Sequence, residues 1–448
     1  MRDTADVVLN GRFDPTHEKR YAHVPFEVPA GVQALHVRYE YSDRIPSDPL
    51  LSGGNTLDIG LFDPRGIAPS STGFRGWSGS EKLDFWVTAT WATPPYLAGP
   101  ITAGTWHVLL GPYKVGPRGC EYQVGITFSE DPGPPAEAHP TTVAASRRSD
   151  LREPGEPGWL RGDLHCHTRH SDGDSWPADM LARAVERGLD FLGVTDHNQV
   201  GHQAEYAAVA GENVPIVLPG IEVTTYGGHW NAWGTDRWWE FREPEPEAVT
   251  RAMRAAAASG AVVSVNHPKP FGPAWEYPTA VGYHAVEVWN GAWERLNHQA
   301  LAWWEQQLRA GHRLVALGGS DLHRLRTPDP DPRHARDLGV PTTWANVGDE
   351  RTPEGVLAAL RAGRVFISAQ PSGPQLFLQR DAGRVRVRAV DARHNALLIM
   401  SVDGIEHAAS VRSDDWAEHY PPPRPGGYVR AQLVDERGQL LALSNPVW

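Results

Sequence analysis

Gly162-Asp-Leu-His-Cys-His-Thr-Arg-His170 and Gly318-Gly-Ser-Asp-Leu-His323 are the two stretches from which the fold of this chain is predicted. Alternate side chains of a β-strand lie on the same face. His165 and His167 therefore point in one direction, and so do Asp321 and His323. Each of the two strand ends offers a pair of metal-binding side chains to a common cavity.

Four further motifs with metal-binding side chains lie between these stretches. They are Thr195-Asp-His-Asn198, Pro219-Gly-Ile-Glu222, Gly227-Gly-His229 and Asn266-His-Pro268. Most of them follow an apolar strand, and the loops after the strands of an α/β barrel converge on the face that carries the active site. Imidazoles and carboxylates together suit Zn²⁺, Mn²⁺ or Fe²⁺. The series predicts a multinuclear metal hydrolase, in which a carboxylate such as Glu222 can bridge two cations and a water shared between them would be acidified.

Each motif alone is a weak signal. A single His or Asp at a strand end is more often a hydrogen-bonded polar residue than a ligand, and Asn-His-Pro is also compatible with a plain turn. The prediction depends on the ordered series, because six separate motifs would meet at one face of the same sheet.

The apolar pattern divides the chain into three parts and a linker. Residues 1–140 carry short alternating runs bounded by Gly, Pro, Asp and Ser, which predicts an N-terminal β-sandwich. Residues 141–158 are predicted to be a linker. Strands and helices alternate over residues 159–370, which predicts a parallel sheet, open or closed into a barrel. Residues 371–448 return to alternation and predict a second β-sandwich.

Within residues 159–370 the apolar pattern predicts individual elements. The predicted strands are Leu189–Val194, Pro215–Ile221, Ala261–Val265, Ala285–Trp289 and Leu314–Gly319. The predicted helices are Pro177–Arg187, Glu245–Ser259, Arg295–Ala310 and a helix that starts at Thr352-Pro-Glu and ends before Gly363. The first helix has apolar Met180, Leu181, Ala184 and Val185 on one face.

The composition limits the kinds of molecule that this protein is expected to bind. The net charge of −12 argues against binding to long nucleic acids, which requires a basic surface. A short nucleotide or another small phosphoester remains possible.

The two cysteines give no disulfide framework, and the first residues lack the apolar run of a signal peptide. No stretch of about 20 apolar residues is present to span a membrane. We therefore expect a cytoplasmic protein; the oligomeric state is left open.

The motif Gly162-Asp-Leu-His-x-His-Thr-x-x-Ser-Asp-Gly173 and the order of those after it resemble the PHP (polymerase and histidinol phosphatase) superfamily of metal-dependent phosphoesterases. Within it the motif looks most like the CehA/McbA group. The resemblance covers roughly residues 159–370. It implies a distorted seven-stranded β/α barrel with two or three divalent metals (Mn, Fe or Zn), flanked here by the two β-sandwich domains.

The resemblance also implies a ligand set. The first metal would be held by His165, His167, Glu222 and Asp321. Glu222 would bridge to a second metal completed by His229 and His267. A third metal would be held by Asp172, His197 and His323. Side chains that could orient these ligands are Asp163, Asp196, Asn198, Thr224 and Asn266, all equally compatible with turn or capping roles.

Candidate catalytic residues are Glu222 and Asp321 among the ligands, and Lys269 and Arg169 as cations that hold phosphate oxygens. Other candidates for substrate contact or proton donation are Arg324, Arg326, His202 and Tyr226. His170 is either a ligand, a substrate contact or a solvated loop residue. Nine of the 18 Trp lie between Trp230 and Trp304, and some of them are expected to line a pocket for a flat group.

Three functions fit these observations. The leading one is hydrolysis of a phosphomonoester or phosphodiester by a metal-bridged hydroxide. The second uses the same centre on an aryl carbamate or carboxylic ester, and an apolar, Trp-lined mouth would favour it over phosphate. The third is a non-catalytic binding protein, which predicts that some of the ligands are missing.

Overall fold

The computed structural model describes residues 5–48, 50–69, 71–143, 149, 151–209, 211, 214–270, 273–329 and 336–448. Residues 144–148 and 150, which belong to the predicted linker, lie outside the described part of the chain.

The N-terminal part forms two four-stranded antiparallel sheets. Its strands are β1 (Val7–Phe13), β2 (Ala22–Val28), β3 (Ala34–Tyr41), β4 (Thr56–Phe62), β5 (Phe74–Trp77), β6 (Asp84–Thr88), β7 (Gly104–Lys114) and β8 (Cys120–Ser129), with a 3₁₀ turn at Pro15–His17. The sheet orders are β1-β8-β3-β6 and β2-β7-β4-β5. Val37 of the first sheet and Leu57, Ile59 and Val108 of the second belong to one buried cluster. The two sheets therefore share a hydrophobic core.

In the second of these sheets, β4 is buried on both faces. Leu57, Ile59 and Leu61 of β4 face the shared core. Phe62 at the end of β4 and Leu109 of β7 join a different cluster, which includes residues after 220 such as Ile221. One face of the sheet β2-β7-β4-β5 therefore packs on the central part of the chain.

The central part alternates strands with helices. Its strands are β9 (Trp159–Asp163), β10 (Phe191–Val194), β11 (Ile216–Thr225), β12 (Gly228–Trp233), β13 (Val262–Val265), β14 (Ala285–Asn290), β15 (Val315–Gly319), β16 (Thr342–Asn346) and β17 (Val365–Ser368). Its helices are α1 (Pro177–Glu186), α2 (His202–Ala208), α3 (Pro246–Ala258), α4 (Asn297–Arg309) and α5 (Pro353–Arg361).

The central strands form one sheet in the order β15-β14-β13-β12-β11-β10-β9-β16-β17. Pairing is parallel in β9-β10-β11 and β13-β14-β15, but antiparallel around β12 and from β9 to β17. The prediction of a purely parallel sheet was therefore wrong, because β11 and β12 form a hairpin. The sheet also curls: Gly318 of β15 donates its N–H to Thr343 Oγ1 of β16 at 3.0 Å.

The C-terminal part does not stand apart from this sheet. Its strands are β18 (Gln375–Asp381), β19 (Arg384–Val390), β20 (Ala396–Ser401), β21 (Gly404–Ser410), β22 (Asp415–Tyr420), β23 (Val429–Val434) and β24 (Leu440–Ser444). β24 pairs with β17, so β24-β23-β20-β21 extend the central sheet, and β18-β19-β22 form a separate three-stranded sheet. Trp344 and Phe366 of the central part lie in the same buried cluster as Leu397 and Leu433.

Most predicted helices and strands of the central part are confirmed, and most of their observed ends lie within two residues of the predicted positions. The predicted N-terminus of α5 is confirmed in detail, because Thr352 accepts a hydrogen bond from Gly355 N at 3.1 Å and Pro353 begins the helix. The predicted apolar face of α1 is buried. The sequence analysis missed α2, β12, β16 and β17. Among the described residues, every helix is too short or too polar to cross a bilayer.

Candidate metal centre

The nine predicted ligands are positioned by the ends of neighbouring strands. His165 and His167 follow β9, His197 follows β10, and Asp321 and His323 follow β15. Cys166 forms a parallel bridge with Leu322, so these two residues point into the core while their neighbours point into the site. Glu222 and His229 come from the two strands of the hairpin β11–β12, where Glu222 is opposite Asn231 and His229 opposite Thr224, and His267 follows β13.

The first group of donor atoms is compact. His165 Nε2 and His167 Nε2 are 3.1 Å apart. Glu222 Oε2 lies 3.3 and 3.4 Å from these nitrogens, and Asp321 Oδ1 lies 3.4 and 3.1 Å from them. Neighbouring ligands on an ion with bonds of about 2.1 Å are themselves about 3.0–3.4 Å apart. His165, His167 and Glu222 therefore have the separations of ligands around a common cation, and Asp321 lies beside both imidazoles.

Glu222 is the centre of the second group. Its Oε1 lies 3.1 Å from His229 Nδ1 and 3.4 Å from His267 Nε2, and its Oε2 lies 3.0 Å from His197 Nδ1. Asn266 donates its Nδ2 hydrogen to Oε1 at 2.8 Å and fixes the carboxylate plane. Glu222 thus contacts imidazoles of both the first and the second group, as expected of a bridging ligand.

The third group surrounds Asp172. Its Oδ1 lies 3.2 Å from His323 Nε2 and 3.5 Å from His197 Nε2. His167 belongs to the same group of possible ligands. Because His197 approaches Glu222 with one nitrogen and Asp172 with the other, it connects the second and third groups.

The residues of the cluster fit divalent cations. His165 donates Nδ1–H to Glu287 Oε1 at 2.9 Å, which leaves the Nε2 lone pair pointing at His167 and Glu222. Glu222 Oε2 and Asp172 Oδ1 are buried and have no hydrogen-bond partner among the described residues. Buried carboxylate oxygens without donors are costly unless a cation compensates them. The donor set is nitrogen and oxygen only, which suits first-row divalent metals.

The electrostatics keep the acids ionised. Burial alone would raise the pKa of Glu222, but the imidazoles of His165 and His229 outweigh it and hold that pKa well below its usual range. Burial likewise opposes ionisation of Asp321, yet Arg336 and His165 lower its pKa well below the usual range. Arg336 Nη1 lies 2.6 Å from Asp321 Oδ2. Both carboxylates are therefore anionic near neutral pH, the form that binds metal.

The predicted supporting residues have separate roles. Asp163 accepts the N–H groups of His165, Ser320 and Gly339, and so joins the ends of β9 and β15. Asp196 accepts hydrogen bonds from Thr168 and Ser171 in the loop that precedes Asp172. Two further supporting residues lie next to His197. Thr224 contacts its Nδ1, and Asn198 is hydrogen bonded to the backbone of Thr224.

Three residues of the site have left-handed backbone conformations: Asn198 at φ 52°, His267 at 30° and Asp321 at 52°. Such conformations are uncommon for residues with a Cβ and are concentrated at functional sites. All three follow strand ends, where the chain turns; His267 and Asp321 line the cavity, and the Asn198 side chain is hydrogen bonded to the backbone of Thr224.

Two predicted substrate cations are not brought to the cavity. Arg169 pairs with Glu137 at 2.9 Å and lies over the Trp176 ring. Lys269 is 3% exposed, its Nζ donates to Asn297 Oδ1 at 2.8 Å, and burial lowers its pKa to about 7. Neither residue is part of the cavity wall. The ammonium group of Lys269 is hydrogen bonded to buried amide groups, so the geometry gives it no phosphate contact.

The other weaker candidates also have structural partners. His170 lies 2.6 Å from Glu205, and Arg326 pairs with Asp179 at 2.7 Å. His202 is fully buried beside Asp196. Tyr226, by contrast, lines the cavity.

A cavity of about 530 Å³ opens onto the metal-binding cluster. The sequence analysis missed several residues of its wall, namely Arg295, Arg336, Asp58, Trp77 and Tyr113. It also missed Glu287, the partner of His165. A signal for Glu287 was present, since one acid inside the apolar strand Ala285–Trp289 requires a buried partner.

One protein family matches part of the central region. Residues 163–266 match the PHP domain family. The match includes six of the nine predicted ligands and ends one residue before His267. This segment is therefore similar to PHP domains, while Asp321 and His323 lie beyond it.

Two curated proteins match part of the chain. A 3',5'-nucleoside bisphosphate phosphatase of Chromobacterium violaceum is 41% identical over 68 residues, which are 15% of this chain and 24% of that protein. A 5'-3' exoribonuclease of Haemophilus influenzae is 36% identical over 64 residues, which are 14% of this chain and 23% of that protein. The chain therefore matches about a quarter of the length of these relatives.

Two solved structures align with part of this chain. A two-domain protein of Bacteroides vulgatus containing a predicted PHP-like metal-dependent phosphoesterase aligns over 68% of this chain and 100% of that chain, with 19% identity and a TM-score of 0.40. An amidohydrolase of Chromobacterium violaceum with bound sulfate and no metal aligns over 39% of this chain and 90% of that chain, with 18% identity and a TM-score of 0.28. These scores are too low to transfer the role of any side chain.

Proposed function

We propose that this protein is a metal-dependent phosphoesterase that hydrolyses a phosphomonoester or phosphodiester of a small molecule or short nucleotide. The observation that carries the proposal is the buried Glu222 carboxylate, which contacts five imidazoles at 3.0–3.4 Å inside a cavity that also holds guanidinium groups. The PHP-domain match of residues 163–266 supports it.

The metals would be held by the three groups already described, with Glu222 shared between the first two. Divalent Mn, Fe or Zn supplies Lewis acidity at such a site, makes water a nucleophile near neutral pH and stabilises charge on the phosphoryl group. Glu287 orients His165, and Asn266 orients Glu222. Both hydrogen bonds hold ligand atoms in place before substrate arrives.

Three arginines on the barrel side are suited to hold the phosphate. Arg295, Arg324 and Arg336 line the cavity together with Asp321 and His323. Guanidinium groups bind the non-bridging oxygens of phosphate through charge-assisted hydrogen bonds. These residues take the place that the sequence analysis gave to Lys269 and Arg169.

The architecture we propose around this site is a distorted seven-stranded PHP-type barrel, similar to the CehA/McbA group, with sandwich-like β domains on either side. The curled sheet β15 to β17 supports the barrel, and the core shared by the first eight strands supports the N-terminal domain at residues 1–140. The pairing of β24 with β17 means that a unit at residues 371–448 would be continuous with the barrel at residues 159–370.

Hydrolysis of an aryl carbamate or carboxylic ester is the second candidate. The observation that favours it is the apolar part of the cavity wall, which includes Leu50, Trp77, Pro270 and Pro273. A neutral ester would gain little from Arg295, Arg324 and Arg336, which is why we prefer a phosphoester.

The test combines metal analysis with hydrolysis assays. We expect two or three divalent metals per chain, and cleavage of p-nitrophenyl phosphate or bis-p-nitrophenyl phosphate that a chelator abolishes. Cleavage of p-nitrophenyl acetate alone would favour the second candidate. A protein that takes up no Mn²⁺, Fe²⁺ or Zn²⁺ would instead be a binding protein without catalytic function.

A further inference from the structure

The cavity has two walls of different character. The barrel side carries the metal-binding cluster and three arginines. The opposite side is built by the N-terminal β domain and carries Asp58, Trp77, Ser78, Glu81 and Tyr113. A substrate whose phosphate lies against the first wall must therefore present its leaving group to the second.

Asp58 is the most constrained residue of the second wall. It lies in β4 between Leu57 and Ile59, which face the core of the N-terminal domain, so its own side chain faces the barrel. It is only 5% exposed. Its Oδ2 accepts a hydrogen bond from Tyr226 at 2.7 Å, whereas the described residues offer Oδ1 no hydrogen-bond donor. Asp58 lines the cavity, and a carboxylate oxygen without a donor there is suited to a ligand that brings one.

Aromatic rings surround this carboxylate. Tyr226, from the loop of the hairpin that carries Glu222 and His229, stacks between Tyr21 and Tyr113, with ring centroids 4.8 and 5.2 Å away. Tyr113 and Trp77 also line the cavity. Flat, apolar surfaces beside one fixed polar group are the usual features of a pocket for a planar ligand group.

We propose that Asp58 is a specificity-determining residue, which accepts a hydrogen bond from a hydroxyl or amino group on the leaving group, while Trp77 and Tyr113 contact its planar part. The inference rests on the proposed phosphoesterase function and deepens it. The substrate class is a phosphoester whose leaving group combines a ring with a hydrogen-bond donor. A second phosphate on this side would meet Asp58 and Glu81 and is disfavoured by charge.

The ionisation of Asp58 makes the contact depend on pH. Burial raises its pKa to about 7; the Tyr226 hydrogen bond and His197 oppose the rise, and Glu81 adds to it. The other titratable groups near it are the tyrosines Tyr21, Tyr39, Tyr41 and Tyr113. The ionised form, present above that pKa, is the stronger acceptor. Recognition of the donor therefore weakens as the pH falls below 7.

The first experiment compares Asp58→Asn with the wild-type protein on two substrates, both with Mn²⁺. Adenosine 5'-monophosphate has a planar base with donors, and p-nitrophenyl phosphate has a ring without donors. We expect kcat/KM to fall about tenfold for the nucleotide, the effect of one charge-assisted hydrogen bond, and less than about twofold for the aryl ester. Glu121→Gln, an exposed change in the same domain, is the control.

Equal losses on both substrates would overturn the inference, and so would a wild-type protein that cleaves the aryl ester but not the nucleotide. A wild-type protein that cleaves neither overturns the proposed function as well, so the two failures are distinguishable.

A second measurement follows the pH dependence. In the wild-type protein the ratio of KM for the nucleotide to KM for the aryl ester should rise as the pH falls from about 8 to about 6. Titration of the metal ligands affects both substrates, but the two phosphates titrate at different pH, so the same ratio is measured in Asp58→Asn as the reference. A ratio that changes equally in the two proteins contradicts the role of Asp58.

Discussion

Glu287→Gln tests whether the cluster is a metal centre without touching any ligand. Glu287 is 3% exposed, accepts Nδ1–H of His165 at 2.9 Å with one oxygen, and accepts Nδ2–H of Asn290 at 3.1 Å with the other. The amide of a glutamine can accept only one of these two hydrogen bonds. If its nitrogen faces His165, the ring proton moves to Nε2, which is the atom that must bind the metal.

The expected size of the effect follows from this geometry. One ligand of the first group is either held in the wrong tautomer or loses its charged partner, while the other three keep their positions. Removal of such an outer partner typically costs 10- to 100-fold in metal affinity. That range corresponds to about 1.4–2.7 kcal/mol.

Isothermal titration of Mn²⁺ into protein stripped with a chelator measures this directly. The Kd of Glu287→Gln should rise by about 10- to 100-fold, with the thermal unfolding of the metal-free protein little changed. Glu247→Gln, an exposed change in the first turn of α3, should bind like the wild-type protein. An unchanged affinity in a folded Glu287→Gln protein would refute the assignment of His165 Nε2 as a ligand.

Three more predictions follow from other contacts. Divalent metal at about 100 times its Kd should stabilise the protein by about 2.7 kcal/mol, and His167→Ala should abolish that increase in Tm while the chain still folds. Gly111→Ala should destabilise by about 1–3 kcal/mol in denaturant unfolding, because a Cβ there would overlap the hydroxyl of Tyr226. Burial and the adjacent Arg242 lower the pKa of His23 from 6.5 to about 4. The unfolded chain therefore takes up the proton first, stability falls between these pH values, and His23→Gln should flatten that part of the Tm profile.

Matched controls exist for two of these predictions. Gly125→Ala places a Cβ at an ordinary 3.4 Å from Ala5 and should leave stability nearly unchanged. An equal loss at Gly111 and Gly125 would contradict the close approach of the two domains. Gln at position 23 can still accept the hydrogen bond that Arg242 now donates at 2.8 Å, so an unchanged acid profile would place the titrating group elsewhere.

The sequence could predict which side chains meet at the cluster because strand geometry constrains them strongly. His165 and His167 are separated by one residue, and so are Asp321 and His323, and strand ends bring both pairs to one face. Cys166 and Leu322 are apolar and face the core, which confirms that the pairs keep this alternation. Helices with a cap and a terminal glycine were predictable for the same reason, since the signals are local.

The position of a charge in the sequence was a poorer guide than the alternation of strands. Lys269 and Arg169 both neighbour ligand motifs, yet one is buried against Asn297 and the other pairs with Glu137. Long cationic side chains reach partners several residues away, so adjacency to a motif does not fix where the charge lies. Arg336 reaches Asp321 from a distant part of the sequence that no motif marked.

The pairing between distant strands was equally difficult to predict from the sequence. The hairpin of β11 and β12 was missed because Gly228–Trp233 is short and begins at the glycine of a predicted ligand motif. The C-terminal strands were expected to close their own sandwich, but β24 pairs with β17. An edge strand exposes the same backbone groups to any partner, so alternation alone cannot tell which sheet a strand will join.

The strand β4 shows how such pairing changes a functional interpretation. Thr56–Phe62 is one of the alternating runs of residues 1–140, but a sandwich strand is expected to have one face in the core and one in solvent. Gly60 and Phe62, on the same face as Asp58, are unusual for a solvated face, and all of β4 is buried. A strand buried on both sides must cover something, and here it packs on the central part of the chain. Asp58 therefore belongs to the cavity wall rather than to an exposed surface.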